Sequence, residues 1–316
     1  MEKPVHDLLI GTAIGDALGV PVEFKERRVL EADPVQEMRG FGSHNQPPGT
    51  WSDDSSLTFC LAESLCKGYD LKDLARKFTA WYREGYWAAH GRVFDVGIAT
   101  SRSISRLERG VVPVLAGGAN ESENGNGSLM RIAPLAFYVR SEKIEQRYKL
   151  VNEVSSLTHR HIRSVLACFI LIEFIIQLLE SKDKFRAFDA TKQIVNDFLN
   201  SNPICSEYEI NQFKRLLLDS EPLYECPVSQ IHSSGYVVDT LEASLWCLLN
   251  EDTFEKTVLK AVNLGEDTDT VGAVTGGLAG LLYGMESIPE KWMAQLARKE
   301  DILNLAERLG KKCKIK

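Results

Sequence analysis

The sequence predicts an all-α fold, and three observations support it. Apolar residues recur three or four apart through most of the 316 positions, the period of an amphipathic helix. Alternating β-branched runs bounded by turns, the mark of strands, are scarce. Glycines spaced four apart occur near both ends, at Gly11, Gly15 and Gly19 and again at Gly272, Gly276, Gly280 and Gly284. Every fourth residue lies close to one face of a helix, and glycine there costs about 1 kcal/mol per position unless a close neighbour offsets it. The two stripes therefore predict that the ends of the chain pack against each other in one core, a single domain over residues 1–316. About a dozen helices are expected.

Along the chain, "MEKPVHDLLIGTAIGDALG" lacks a basic segment followed by a long apolar one and does not read as a signal peptide. Pro34, Gly40, Gly42, Pro47, Pro48 and Gly49 mark 31–50 as a loop, and 110–127 and 219–235 read the same way. "DLKDLARKFTAWYREG" has Leu71, Leu74, Ala75, Phe78, Trp81 and Tyr82 at helical spacing, with Asp70 placed to cap the start. "VLACFILIEFIIQLL", Val165 to Leu179, is interrupted by Glu173 and Gln177 and is short for a bilayer span. It reads as a central helix buried on nearly all sides, so no membrane partner is expected. "VVDTLEASLWCLLNE", "TFEKTVLKAVNLG" (stopping at Gly265) and "PEKWMAQLARKEDILNLAERLG" continue the helical pattern.

Composition is that of an ordinary soluble globular protein, with 44% hydrophobic and 26% charged residues. A formal net charge of -7 argues against a broad nucleic-acid footprint. Seven scattered cysteines with no CxxC pair argue against a zinc site or a disulfide framework. They fit a reducing compartment, hence a cytoplasmic protein. A monomer is expected.

The chemistry is carried by acids in unusual settings. Asp16 and Glu23 lie in "GDALGVPVEF", Asp53 and Asp54 in "TWSDDSSLTF", and Asp267 and Asp269 in "GEDTDTVGAV". Each aspartate pair precedes an apolar helix, where acids commonly cap or meet the helix dipole. Two carboxylates 4 Å apart nevertheless repel by about 4 kcal/mol at an effective dielectric near 20. Hard divalent cations would offset that, since they take carboxylate, hydroxyl and water oxygens. No histidine or cysteine sits within these motifs, which favours Mg²⁺ or Mn²⁺. A pair of such ions about 3.5–4 Å apart can clamp substrate oxygens. "ENGNGSLMR" could cradle phosphate on its backbone N–H groups, although most such loops are only turns. "SLTHRHIRS" gathers His159, Arg160, His161 and Arg163, either facing a pyrophosphate or forming a solvated helix start. "HSSGYVVD" offers Tyr236, a ring that could stack on a base or ribose or simply pack in the core.

Taken together, "GDALGVPVEF", "WSDDSS", "GNGSLMR", "THRH", "SGYVVDTLEA" and "GEDTDTVGAVTGGLAG" resemble the ADP-ribosylglycohydrolases in motif order, from about residue 6 to about residue 305. That family includes enzymes acting on ADP-ribosylarginine and on dinitrogenase reductase. The resemblance implies a compact all-α fold, a binuclear Mg²⁺ or Mn²⁺ site, and hydrolysis of the bond joining ADP-ribose to a side chain, arginine first. The substrate would be an ADP-ribosylated protein or a small ADP-ribosyl compound, with serine-linked and O-acetyl ADP-ribose as alternatives. By position, the resemblance makes Asp53, Asp54, Asp267, Asp269 and Thr270 metal ligands, with the Ser52 hydroxyl beside them. It makes Glu23 a candidate general base and Asp95 a second acid near the scissile bond. Asn126, Gly127, Ser128, His159 and Tyr236 match positions around the ADP-ribose. Ser52 and Ser55 stand where threonine is common, and both keep a hydroxyl. Ile98 stands where some bacterial relatives carry a polar residue. A catalytically silent ADP-ribose-binding relative and an all-α metal-dependent phosphohydrolase are the rival readings. The intact acidic set speaks against the first, and the lack of histidines in the aspartate motifs against the second.

Overall fold

The computed structural model describes residues 3–218 and 222–315. Its helices begin with α1 Pro4–Gly19, α2 Arg27–Ala32, α3 Asp53–Leu65, α4 Leu71–Glu84, α5 Ile98–Glu108, α6 Leu135–Val139, α7 Ile144–Ser156 and α8 Ile162–Ser181. They continue with α9 Lys184–Ser201, α10 Glu207–Asn211, α11 Lys214–Leu217, α12 Val237–Asn250, α13 Phe254–Val262, α14 Thr268–Tyr283, α15 Glu290–Gln295 and α16 Lys299–Lys312. Strands are absent among the described residues, which show only two isolated bridges, Gly118 with His159 and Gly125 with Tyr236. The all-α reading holds. The helix number exceeds a dozen because some continuous patterns break: "PEKWMAQLARKEDILNLAERLG" splits into α15 and α16 around Arg298, whose φ is 45°.

α1 and α14 lie against each other, and the glycines make that approach possible. A Cβ on Gly11 would fall on the Gly276 carbonyl, one on Gly15 on the Gly272 carbonyl, and one on Gly19 on the backbone of Thr268 and Asp269. The Thr268 hydroxyl donates to the Gly19 carbonyl at 2.8 Å, pinning the end of α1 to the start of α14. Gly284 is not part of this stripe. It lies past the end of α14 at φ 81°, where an added Cβ would meet nothing within 4 Å.

α8 is the central helix, packed against α7, α9, α12 and α6. At twenty residues it is longer than the apolar run that announced it, and by length and composition it could cross a bilayer, as could Pro4–Val22. Both are core helices in this fold, with 83% and 94% of their apolar windows buried. Glu173, fully buried on α8, is paired by Arg147 of α7 through two hydrogen bonds of 2.7 Å. Asp70 caps α4 as expected, accepting from the Lys72 and Asp73 amides. The expected loops 31–50 and 110–127 are irregular beyond the end of α2, apart from short 3-10 turns at Pro113–Leu115, Glu121–Glu123 and Asn126–Ser128. Of 219–235, residues 219–221 lie outside the described residues, and the remainder carries two further 3-10 turns.

Candidate active site

The α1–α14 contact delivers the acids. α1 ends at Gly19 and a 3-10 turn, Val20–Val22, leads to Glu23. Phe24 follows in the left-handed region at φ 66°, and Glu266 faces it at φ 61°. The two are locked together, the Phe24 amide donating to the Glu266 carbonyl (2.7 Å) and the Glu266 amide to the Lys25 carbonyl (2.8 Å). Glu23 is thereby held next to the start of α14. A non-glycine residue in this conformation costs roughly 1–3 kcal/mol and persists where surroundings over-determine it.

The two aspartate motifs use their helix starts differently. Ser52 is a true N-cap of α3: its Oγ accepts from the Asp54 amide (3.2 Å) and donates to Asp54 Oδ2 (3.0 Å). Asp16 reaches over from α1 and accepts from the Ser52 amide (2.9 Å), the Ser55 amide (3.0 Å) and the Ser55 hydroxyl (2.6 Å). With the start of α3 satisfied from outside, Asp53 and Asp54 are released from capping and turn to the cavity. Asp267 occupies the N-cap position of α14 but makes no side-chain cap bond. Its Oδ2 accepts instead from Asn126 Nδ2 at 2.8 Å. The Thr270 hydroxyl donates to Asp54 Oδ2 at 3.4 Å, joining the two motifs.

These side chains line a cavity of about 400 Å³. Its lining is strongly acidic, with Glu23, Asp53, Asp54, Asp95, Asp267, Asp269 and Thr270. It also includes Thr100, Gly125, Asn126, Gly127, His159 and Gly235, and Asn126 meets the acids at Asp267. Gly127 is required to be small, because a Cβ there would meet the His159 ring at 2.8 Å. Burial and the Arg131 guanidinium drive the His159 imidazole down to about 3, so it is neutral and offers hydrogen bonds without charge. Its Nδ1 is paired with the Thr158 hydroxyl at 2.8 Å.

Electrostatically the carboxylate cluster is frustrated. Burial, reinforced by neighbouring carboxylates, raises Asp53, Asp54 and Asp269 well above the usual carboxylate range. Burial also raises Glu23, with a hydrogen bond from His44 acting against it and Asp95 and Asp267 adding to it. Asp16 is pushed up to about 7 by desolvation, against its hydrogen bonds from Ser55 and Ser52. Asp54 Oδ1 is buried without a hydrogen-bond partner. A buried carboxylate oxygen with no donor is costly, and a cation is the group that would complete it. Carboxylate oxygens of Glu23, Asp95 and Asp269 also lie within 4.8 Å of one another, close enough to hold an ion, with His44 beside them and its Nε2 engaged by Glu23. The residues present therefore fit divalent metal binding.

The whole chain matches a known family model, ADP-ribosylglycohydrolase, over residues 2–315. The chain belongs to the ADP-ribosylglycohydrolase family. It is 34% identical over 304 residues to the ADP-ribosylarginine hydrolase Tri1 of Serratia proteamaculans, covering 95% of this chain and 77% of that one. It is 28% identical to the ADP-ribosyl-[dinitrogen reductase] glycohydrolase of Rhodospirillum rubrum, over 93% and 92% of the two chains. A solved structure described as an ADP-ribosylglycohydrolase-related protein complex superposes with a TM-score of 0.80 at 33% identity, covering 99% of both chains.

Of the residues assigned by resemblance to the ADP-ribosylglycohydrolases, the fold brings Glu23, Asp53, Asp54, Asp95, Asn126, Gly127, His159, Asp267, Asp269 and Thr270 to one cavity. Four hydroxyl-bearing residues sit elsewhere. Ser52 and Ser55 direct their hydroxyl protons to Asp54 and Asp16. Ser128 is fully buried behind the loop, accepting from the Ser155 hydroxyl at 3.0 Å. Tyr236 does not line the cavity, although Gly235 does, and its ring centroid lies 5.9 Å from the Arg163 guanidinium carbon. Three residues of the site had no assigned role in the sequence: Asp16 as the strut under α3, Arg131 beneath Gly127 and His159, and His44. Arg131 is fully buried, donates to the Gly127 and Val154 carbonyls and stacks over Phe78. His44 corrects the expectation of an acid cluster without histidine, since the 31–50 loop folds it onto Glu23.

Proposed function

We propose that the protein is a metal-dependent hydrolase that removes ADP-ribose from arginine side chains. The observation that carries this is one cavity lined both by a cluster of buried carboxylates and by Asn126, Gly127 and a neutral His159, with Asn126 bonded directly to Asp267. Two divalent cations, Mg²⁺ or Mn²⁺, would when bound supply positive charge that neutralises the carboxylates and attracts sugar hydroxyls. Asp53, Asp54, Asp267, Asp269 and Thr270 would hold them. Asn126 orients Asp267 while bridging to the Thr240 hydroxyl, each at 2.8 Å.

Cleavage at the anomeric carbon of the distal ribose builds oxocarbenium character as the guanidine departs. The acidic wall favours that developing positive charge. Glu23, buried and raised above its ordinary value, takes a proton from the attacking water. Asp95, carried by the segment that leads into α5 with its carboxylate within 4.8 Å of that of Glu23, receives this proton from Glu23 and passes it to the leaving nitrogen. The likeness to an ADP-ribosylarginine hydrolase at 34% identity supports arginine over other linkages. To test it, the protein with Mg²⁺ or Mn²⁺ is given arginine-, serine- and O-acetyl-linked ADP-ribose and release is followed. Release from the arginine linkage ahead of the other two is expected, and release from serine-linked ADP-ribose alone would overturn the assignment.

A further inference from the structure

Building on that reading of the site, we propose that His44 is the positioning residue for Glu23. Its Nε2 meets Glu23 Oε2, and among the described residues no other side chain hydrogen-bonds this carboxylate. Without such a tether Glu23 shares its space with Asp95, Asp267 and Asp269, all of which repel it.

The loop is built to hold the imidazole there. The Ser43 amide donates to the Pro21 carbonyl (2.9 Å) and the Ser43 hydroxyl to the Glu23 carbonyl (2.6 Å). A Cβ on Gly42 would fall on the Pro21 carbonyl, so the loop approaches as closely as a backbone can. Gln46 Nε2 donates to the His44 carbonyl at 3.1 Å. The ring itself lies between Phe24 and Phe94, with centroids 5.8 and 5.3 Å away. His44 thus bridges the strained 23–24 corner and the segment carrying Asp95, the two places from which the proposed proton transfers are made. Orientation errors of about 1 Å at a reacting group can cost about 100-fold in rate, so the tether bears on turnover and not only on folding.

Two substitutions separate the ring's packing from its hydrogen bond. His44→Phe keeps an aromatic ring between Phe24 and Phe94 and removes both nitrogens. His44→Gln removes the ring and keeps an N–H able to reach Glu23. On ADP-ribosylarginine with saturating Mn²⁺, kcat of His44→Phe should fall about 10–100-fold with KM changed less than about threefold. His44→Gln should recover most of that loss, and Mn²⁺ affinity measured by titration should be the same in all three proteins. The proposal is overturned if His44→Phe turns over normally, if His44→Gln is the slower of the two, or if Mn²⁺ affinity falls in step with kcat, which would make His44 a metal ligand. A wild-type protein that releases no ADP-ribose would instead overturn the reading of function on which this rests.

Discussion

Asp16, near the end of α1, and Asp54, at the start of α3, are both buried aspartates, yet their surroundings assign them opposite duties. Asp16 accepts three hydrogen bonds and completes the helix start, whereas Asp54 keeps one oxygen without a partner. Asp16→Asn would set an amide N–H₂ among donors, so it should destabilise the protein by about 2–3 kcal/mol, read from urea unfolding. Asp54→Asn removes a carboxylate that burial and its neighbours disfavour. It should leave metal-free stability unchanged or raise it by about 1–2 kcal/mol at pH 8, while lowering ADP-ribose release about a thousandfold or more. If both variants lose stability alike, Asp54 is a structural residue. The contrast shows what the sequence makes legible. The acid pairs stand out because residue type and spacing are local. The roles of Asp16 and His44 depend on partners 36–39 and 21 residues away, and a lone aspartate or histidine carries no sign of them. Ser128 and Tyr236 show the same limit: motif position does not say which way a side chain faces, and Ser128 turns inward to Ser155 while the Tyr236 ring turns to Arg163.

The α1–α14 pair is the element on which the site's geometry depends. It sets Glu23 beside Asp267 across nearly the whole chain, and it was readable because a four-residue glycine period has few other uses in a helix interior. Gly15→Ala would place a methyl on the Gly272 carbonyl, where no rotamer can relieve it. The helices must then separate, so a loss of about 3 kcal/mol or more is expected, together with reduced activity. Gly284→Ala meets no neighbour, so its cost is backbone strain alone, about 1–3 kcal/mol at φ 81° and ψ 151°, a region essentially reserved for glycine, and activity should be unchanged. Equal effects at the two positions would refute the close-approach account. Periodicity was less informative at breaks such as Arg298 and at 3-10 turns such as Asn126–Ser128, where tertiary contacts override local pattern.

The whole molecule stores unfavourable charge in its centre. In the folded protein Asp53, Asp54 and Asp269 are raised well above their unfolded values near 4, and Asp16 to about 7. Between those values the native state binds more protons than the unfolded state, so metal-free stability must fall as pH rises. The slope is at most about 1.4 kcal/mol per pH unit for each such carboxylate. Melting of chelator-treated protein should therefore drop between pH 5 and 8, and added Mn²⁺ should flatten the curve. A metal-free protein that grows more stable over that range would contradict the charge account.

The claim that the carboxylate cluster serves catalysis through bound cations is tested most directly by ADP-ribose release from ADP-ribosylarginine. Chelator-stripped protein, stripped protein reloaded with Mg²⁺ or Mn²⁺, and reloaded Asp267→Ala are assayed side by side. Release is predicted to be near background in the first, restored in the second and near background again in the third; full release from the stripped protein would contradict it.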